Sequence, residues 1–340
     1  MKIGFVVAQN YWIHLNEIYK EIANQHTTQI YQERQVQFQL MSERANRFLR
    51  RNGLARFMKA NDLTFFEWGE DQLVTATHLP ASSLLIARLH LHELWDFAPQ
   101  VNWENVDWVI FISHAMERKF LTRFPEMAGR TCVIHNGVSL KKFQHKPHPF
   151  KGVIGTLNRI EPHKGIWGLI IALYQLRKQG YDLTLHIGGV CNEPRYQRYN
   201  FEVHHLVERL NLQPYVKFQG YIEDTPAWFQ DIDIFVSNSC SEGLQVALLE
   251  AMASGCYCLS HFWDGADEAL PVDNIYITEA ELLEKIKVYC NLPESAKHQE
   301  QERMRTIAVE KFDIDQKKLL VCQTVEEVYS KNHSGRNGRK

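Results

Sequence analysis

Short apolar runs recur along the 340-residue chain, and each is followed by an amphipathic stretch long enough to form a helix. That alternation predicts buried parallel strands joined by helical crossovers. Strands are predicted over residues 2–8, 29–31, 63–67, 84–90, 108–113 and 132–135, and again over 153–157, 183–187, 216–218, 232–236, 257–260 and 275–277. Between the two sets, residues 141–150 (KKFQHKPHPF) are polar, hold two prolines and show no periodicity, which marks a connection. The expectation is an α/β chain of two Rossmann-like, doubly wound parallel-sheet domains facing across a cleft, residues 1–145 and 146–315. Helical periodicity near the end predicts a helix over 316–330 that packs back toward the first domain, followed by a basic flexible tail, 331–340. Open parallel sheets bind ligands outside the carboxyl ends of their strands, so residues just after strands take priority.

Length supports two domains, since about 100–200 residues per domain is usual. With 45% hydrophobic and 23% charged residues, the chain has an ordinary globular composition. The formal net charge of −2 offers no basic excess for neutralising phosphates, so no nucleic acid is expected as a partner. Seven cysteines lie scattered at 132, 191, 240, 256, 258, 290 and 322 without a CxxC pair. The opening MKIGFVVAQ lacks a signal-peptide pattern, and no run of about 18 apolar residues occurs. Reduced thiols in a cytoplasmic, non-spanning protein are the expectation. The stretch 34–59 carries Arg34, Arg44, Arg47, Arg50, Arg51, Arg56 and Lys59 against Glu43, interleaved with Phe38, Leu40, Phe48, Leu49, Phe57 and Met58. This predicts a basic amphipathic helix suited to peripheral contact with an anionic inner membrane face. A solvated basic face, or a patch for an anionic acceptor, fits the same pattern.

Candidate chemistry concentrates in two segments. IDIFVSN reads as a strand, and SEGLQVALLEAMASG (241–255) after it reads as a turn and a helix starting near Leu244 and ending at Gly255. First-turn amides and the helix dipole would then bind phosphate. Glu242 and Glu250 are eight residues apart, about 12 Å along a helix. That spacing matches the reach from hexose to ribose in a nucleotide sugar, but it also suits a glutamate at a helix start and an exposed helical one. GTLNRIEPHKG follows the first strand of the second half and offers Arg159 as a fork and Lys164 as a point charge, without the order of a P-loop. Ordinary solvated charges are the alternative. Asp231 and Asp233 superficially form a metal-binding DxD, but alternate residues entering an apolar strand fit a strand edge, and no metal site is expected.

NRIEPHKG followed by SEGLQVALLEAMASG resembles the GRLxPxKG and SEGLPxxLLEAMAxG motifs of the retaining GT-B glycosyltransferases, family 4 (glycosyl transferases group 1). VIHNGVSLKKF and FQGYIEDTPAWFQDIDIFVSNS extend the resemblance over roughly residues 105–260. The resemblance implies an acceptor-binding first domain, a donor-binding second domain and hexosyl transfer from a UDP- or GDP-sugar. The acceptor would be a sugar, a lipid-linked or a small molecule. It implies Arg159 and Lys164 on the diphosphate, Glu242 at the hexose and Glu250 on the ribose, with Gly243, Leu244 and Gln245 also binding the donor. Tyr221 falls in the segment expected near the base. No divalent metal and no cofactor beyond the nucleotide-sugar donor are implied. The catalytic histidine of the first domain falls in LLIARLHLHELWD, where His90 is the choice and His92 stays open because alternate strand residues share a face. The family's first-strand glycine pair is replaced by AQNYWIHLN, which leaves Gln9, Asn10 and His14 as acceptor-side candidates together with Glu67 and His92. A GT-B nucleotide-sugar epimerase and an inactive nucleotide-sugar-binding module keep the same fold. Donor base, sugar, acceptor and oligomeric state are not legible.

Overall fold

Strands form where the apolar runs lie. The structure, a computed structural model, describes residues 1–8, 12, 15–32 and 43–337, with the backbone alone at 43–47 and 333–337. Among these residues the strands are β1 Lys2–Val7, β2 Thr27–Ile30, β3 Leu63–Glu67, β4 Leu84–Leu89, β5 Trp108–Phe111 and β6 Thr131–Val133. A second set follows: β7 Val153–Leu157, β8 Thr184–Gly188, β9 Val216–Gly220, β10 Ile234–Ser237, β11 Tyr257–His261 and β12 Ile275–Tyr276. β3 and β4 are buried at every position, as strands covered on both faces must be, and this is why they read as apolar runs rather than alternating ones.

The first set forms one parallel sheet in the order β2-β1-β3-β4-β5-β6. The second forms another, in the order β9-β8-β7-β10-β11-β12. Two compact units result, Met1–Asn136 with Asp315–Lys340, and Gly137–Ile314. The first core packs Ile3, Phe5, Phe65, Ile86 and Ile110 with Val321, Val325 and Val328 of the helix Ile314–Asn337. The second packs Ile154, Ile187, Ile234, Val236 and Leu259 with Leu169 and Leu173 of the helix Ile166–Lys178.

Two boundaries differ from the sequence reading. The units divide at 136/137, not 145/146, because the polar connection is tied into the second unit. Val138 bridges to Asp313, Phe143 is buried, and the Arg305 guanidinium donates to the carbonyls of Leu140, Phe143 and Ala253. The last helix continues to Asn337, through most of the predicted tail, since the lone Gly335 costs only about 1 kcal/mol in a helix. The basic helix is Glu43–Lys59, and Arg34, Phe38 and Leu40 lie outside the described residues. It buries Leu54 and Met58 and leaves Phe48 and Leu49 exposed beside the exposed Arg50 and Arg51.

Because Val325 is fully buried on the returning helix, Val325→Ala should remove about 2 kcal/mol from the first unit. Urea titration should show the loss as a lower midpoint, and an unchanged midpoint would remove the helix from that core.

Candidate functional site

The second sheet reverses its strand order between β7 and β10, and both motif segments leave the carboxyl ends of those two strands. At such a reversal the connections run in opposite directions and leave a crevice between them. Here the two loops are stitched together. The Cys240 amide donates to the His163 carbonyl at 3.0 Å, and Asn238 Nδ2 donates to the Gly165 carbonyl at 2.7 Å. Lys164 Nζ lies 2.6 Å from Glu242 Oε1. Gly165 has φ 67° and a Cβ there would strike the Asn238 carbonyl, so only glycine allows this approach. Tyr276 fixes Asn238 from behind, donating its hydroxyl to Oδ1 at 2.6 Å.

Lys164 and Glu242 are both largely buried, whereas the Arg159 side chain is half exposed and held from one side by buried Glu161 (Nε to Oε1, 3.3 Å). His163 is pushed below its ordinary pKa by burial and then by the neighbouring Lys164 charge. Asn158, standing where the resembled motif has glycine, donates its carboxamide Nδ2 to Thr156 Oγ1 at 2.9 Å. Gly189 at φ 120° packs against the Asn158 carbonyl, where any Cβ would collide. Tyr221 follows β9 and is 71% exposed.

The helix of the second motif is Val246–Ala253, starting later than the predicted Leu244, with Gln245 as its cap residue and Gly255 at φ 82° beyond its end. Gly243 and Leu244 precede it as buried, non-helical backbone, because the turn after β10 uses them to reach the helix. Glu250 lies on that helix, and burial pushes its carboxyl up to about 7, with Lys142 pulling weakly the other way. Gln245 is 8% exposed, and neither atom of its carboxamide has a hydrogen-bond partner among the described residues. Asp233 is a buried structural acceptor for the amides of Lys151 and Val153, and Asp231 pairs with Lys151 on the surface.

In the first unit, strand register places Glu67 beside Arg88. Arg88 Nη1 donates to Glu67 Oε1 at 2.6 Å and Nη2 to Asn136 Oδ1 at 2.6 Å. His90 Nε2 lies 2.9 Å from the same Glu67 oxygen, and the Trp68 indole stacks on its ring at 3.6 Å. Burial, then Arg88 and His92, hold His90 well below its ordinary pKa. The strand ends at Leu89, so His92 does not continue it and instead caps the turn Glu93–Asp96. Burial pulls its pKa down, but the hydrogen bond to Glu70 at 3.0 Å and the charges of Glu93, Glu70 and Asp96 raise it overall. Glu93 is itself raised by burial. Gln9, Asn10 and His14 lie outside the described residues. Arg88 and Asn136 escaped the sequence reading, although an arginine inside LLIARL is a signal of a buried partner.

Two Rossmann-like parallel-sheet units of this kind define a GT-B fold, and solved structures of that fold match the chain over almost its whole length. HepE from Anabaena, determined in complex with UDP, is 22% identical, with a TM-score of 0.78 over 96% of this chain and 100% of its own. Sucrose-phosphate synthase from Thermosynechococcus elongatus is 16% identical, with a TM-score of 0.73 over 97% and 99%. The family model described as "Glycosyl transferases group 1" matches residues 139–301. The matched segment is nearly the whole second unit. Among curated proteins, "Putative colanic acid biosynthesis glycosyltransferase WcaL" from Escherichia coli is 29% identical over 42% of this chain, and its Salmonella typhimurium counterpart 27% over 41%. The matched region spans only 37% and 36% of the length of those relatives.

Glu250 provides a test through its raised carboxyl. In the unfolded chain it ionises near 4.5 and in the fold near 7, so its burial costs nothing below 4.5. The cost grows as pH rises between those values and is constant above the upper one. The melting temperature of Glu250→Gln should therefore equal that of the wild type at pH 4, exceed it increasingly up to pH 7, and keep that lead at pH 8. A lead that is the same at every pH would show that the carboxyl is not perturbed.

Proposed function

We propose that this protein is a retaining, metal-independent glycosyltransferase of the cytoplasm that moves a hexosyl unit from a UDP- or GDP-sugar to a sugar, lipid-linked or small-molecule acceptor. The observation that carries the proposal is the Lys164–Glu242 pair at the reversal between β7 and β10, which joins the two motif segments where a doubly wound sheet receives its ligand. The match of the second unit to the group 1 family model and the UDP found in HepE support the same reading.

In the proposed reaction, Arg159 and Lys164 hold the donor diphosphate, joined by backbone amides at the start of the helix Val246–Ala253. Glu250 accepts hydrogen bonds from the ribose hydroxyls, and Glu242 lies at the hexose. As the bond from the anomeric carbon to the diphosphate lengthens, charge grows on the departing oxygen, and the two cations stabilise it more than they stabilise the ground state. The acceptor oxygen attacks that carbon from the face the diphosphate leaves, and the acceptor proton passes to a phosphate oxygen.

A nucleoside diphosphate at about 100 times its dissociation constant should stabilise the protein by about 2.7 kcal/mol. Arg159→Ala and Glu250→Ala should each shrink the accompanying rise in melting temperature. If uridine, guanosine and adenosine diphosphates all left the melting temperature unmoved, the donor site would be misassigned. Turnover of the bound nucleotide sugar in the presence of EDTA should give product of unchanged anomeric configuration. Inversion at that carbon would exclude the retaining reaction, and recovery of an epimeric nucleotide sugar would replace transfer by epimerisation.

The proposal includes peripheral membrane contact through the helix Glu43–Lys59, whose exposed Phe48 and Leu49 adjoin Arg50 and Arg51. No helix among the described residues is long and apolar enough to cross a membrane. Vesicles containing phosphatidylserine should carry the protein upward in flotation, and Phe48→Ser with Leu49→Ser should abolish this. Equal flotation on neutral vesicles would rule out the charge-assisted contact.

A further inference from the structure

We infer that the Gln245 carboxamide reads hydroxyl groups of the transferred hexose and so sets which donor sugar the enzyme accepts. The inference rests on the donor-site reading proposed above and assigns one residue a task within it. Gln245 is 8% exposed, and both its Nε2 and its Oε1 are buried without a hydrogen-bond partner among the described residues. A buried polar group left unpaired is costly, and such groups in native proteins are few and usually have a reason. Gln245 sits three residues after Glu242 and caps the helix Val246–Ala253 without using its side chain for the cap.

The backbone does not require glutamine there. At φ −69° the position would take proline, the residue the resembled motif carries, and proline would leave no carboxamide to satisfy. Glutamine at this point adds only its donor and its acceptor. The chemistry of the pair narrows the ligand. Phosphate oxygens accept only, so a diphosphate satisfies Nε2 and leaves Oε1 facing like charge. A hexose hydroxyl donates as well as accepts, and two neighbouring hydroxyls satisfy both atoms at once. At the carboxyl ends of β7 and β10 three further oxygens, Asn158 Oδ1, Ser237 Oγ and Ser239 Oγ, are also buried without a hydrogen-bond partner among the described residues. Solvent reaches neither carboxamide atom, so donor binding must turn the side chain or displace a neighbour to bring them to the sugar.

The experiment is calorimetric titration of wild type, Gln245→Leu and Gln245→Pro with UDP and UDP-glucose, and with GDP and GDP-mannose. Both variants should bind the nucleotide sugar about tenfold more weakly, the equivalent of one good hydrogen-bonded contact, while binding the free diphosphate as the wild type does. A donor deoxygenated at the hydroxyl Gln245 reads should bind wild type and Gln245→Leu alike. Both variants should melt no lower than wild type when unliganded, since they remove an unsatisfied buried group.

Equal weakening for diphosphate and nucleotide sugar would overturn the inference and move Gln245 to the phosphates. Unchanged affinity for both, or a lowered melting temperature in both variants, would overturn it in favour of a structural role for the carboxamide, through a buried water for example. If wild type itself bound none of the four nucleotides, the donor-site reading would fall first and take the role of Gln245 with it.

Discussion

The reversal of strand order between β7 and β10 is the constraint from which the rest of the second unit follows. Crossovers between parallel strands are right-handed, so a chain that winds β7-β8-β9 one way and β10-β11-β12 the other must place its helices on opposite faces of the sheet. Only at the reversal do two adjacent strands end with their connections diverging. The two loops there support each other through backbone and short side chains. The contacts are those between Cys240 and His163 and between Asn238 and Gly165. A left-handed glycine, Gly165, allows the backbones to come that close.

The two units treat charge differently. In the first, Glu67 is wholly buried and is engaged at one oxygen by both Arg88 and His90, with Asn136 taking the other arm of the guanidinium. Removing either ion would strand its partner in the interior, so the cluster holds the ends of β3 and β4 in one arrangement. In the second, Lys164 and Glu242 make a single short contact, and Arg159 keeps half its surface in solvent. Lys164 has three donors and Glu242 two oxygens, so each retains capacity for another group. In the proposed reaction that spare capacity is what the donor takes up, while the first cluster stays as it is.

How much of this was legible depended on how local its cause was. Buried parallel strands announce themselves as apolar runs, and β3 and β7 occupy the predicted positions residue for residue. The junction did not announce itself, because 137–145 is held by its carbonyls, and the group that binds them, Arg305, lies about 160 residues further along. Glu67 drew notice as an acidic strand end, yet its meaning came from Arg88 and Asn136, which only the sheet register brings near. The spacing of Glu242 and Glu250 was readable, but the late start of the helix was not, since Gly243 and Leu244 fit a helix and a turn equally well. The orphaned carboxamide of Gln245 is a negative feature, visible only when every neighbour has been placed.

The two histidines after β4 sit in opposite surroundings. His92, half exposed between Glu70 and Glu93, holds its proton more tightly than a free imidazole and ties the turn after β3 to the turn after β4. His90 is driven the other way: buried under Trp68 and next to Arg88, it disfavours the charged form. Its Nε2 faces a carboxylate oxygen, which fixes that nitrogen as the one carrying hydrogen. A neutral, fixed imidazole is a poor proton donor at neutral pH but a well-oriented polar group. In the proposed reaction, help for the departing diphosphate therefore falls to charges that stay charged, Arg159 and Lys164, and not to a proton from His90. That division puts most of the catalytic power in electrostatics arranged by the fold before the donor arrives, at the one place in the second sheet where strand order leaves room for it.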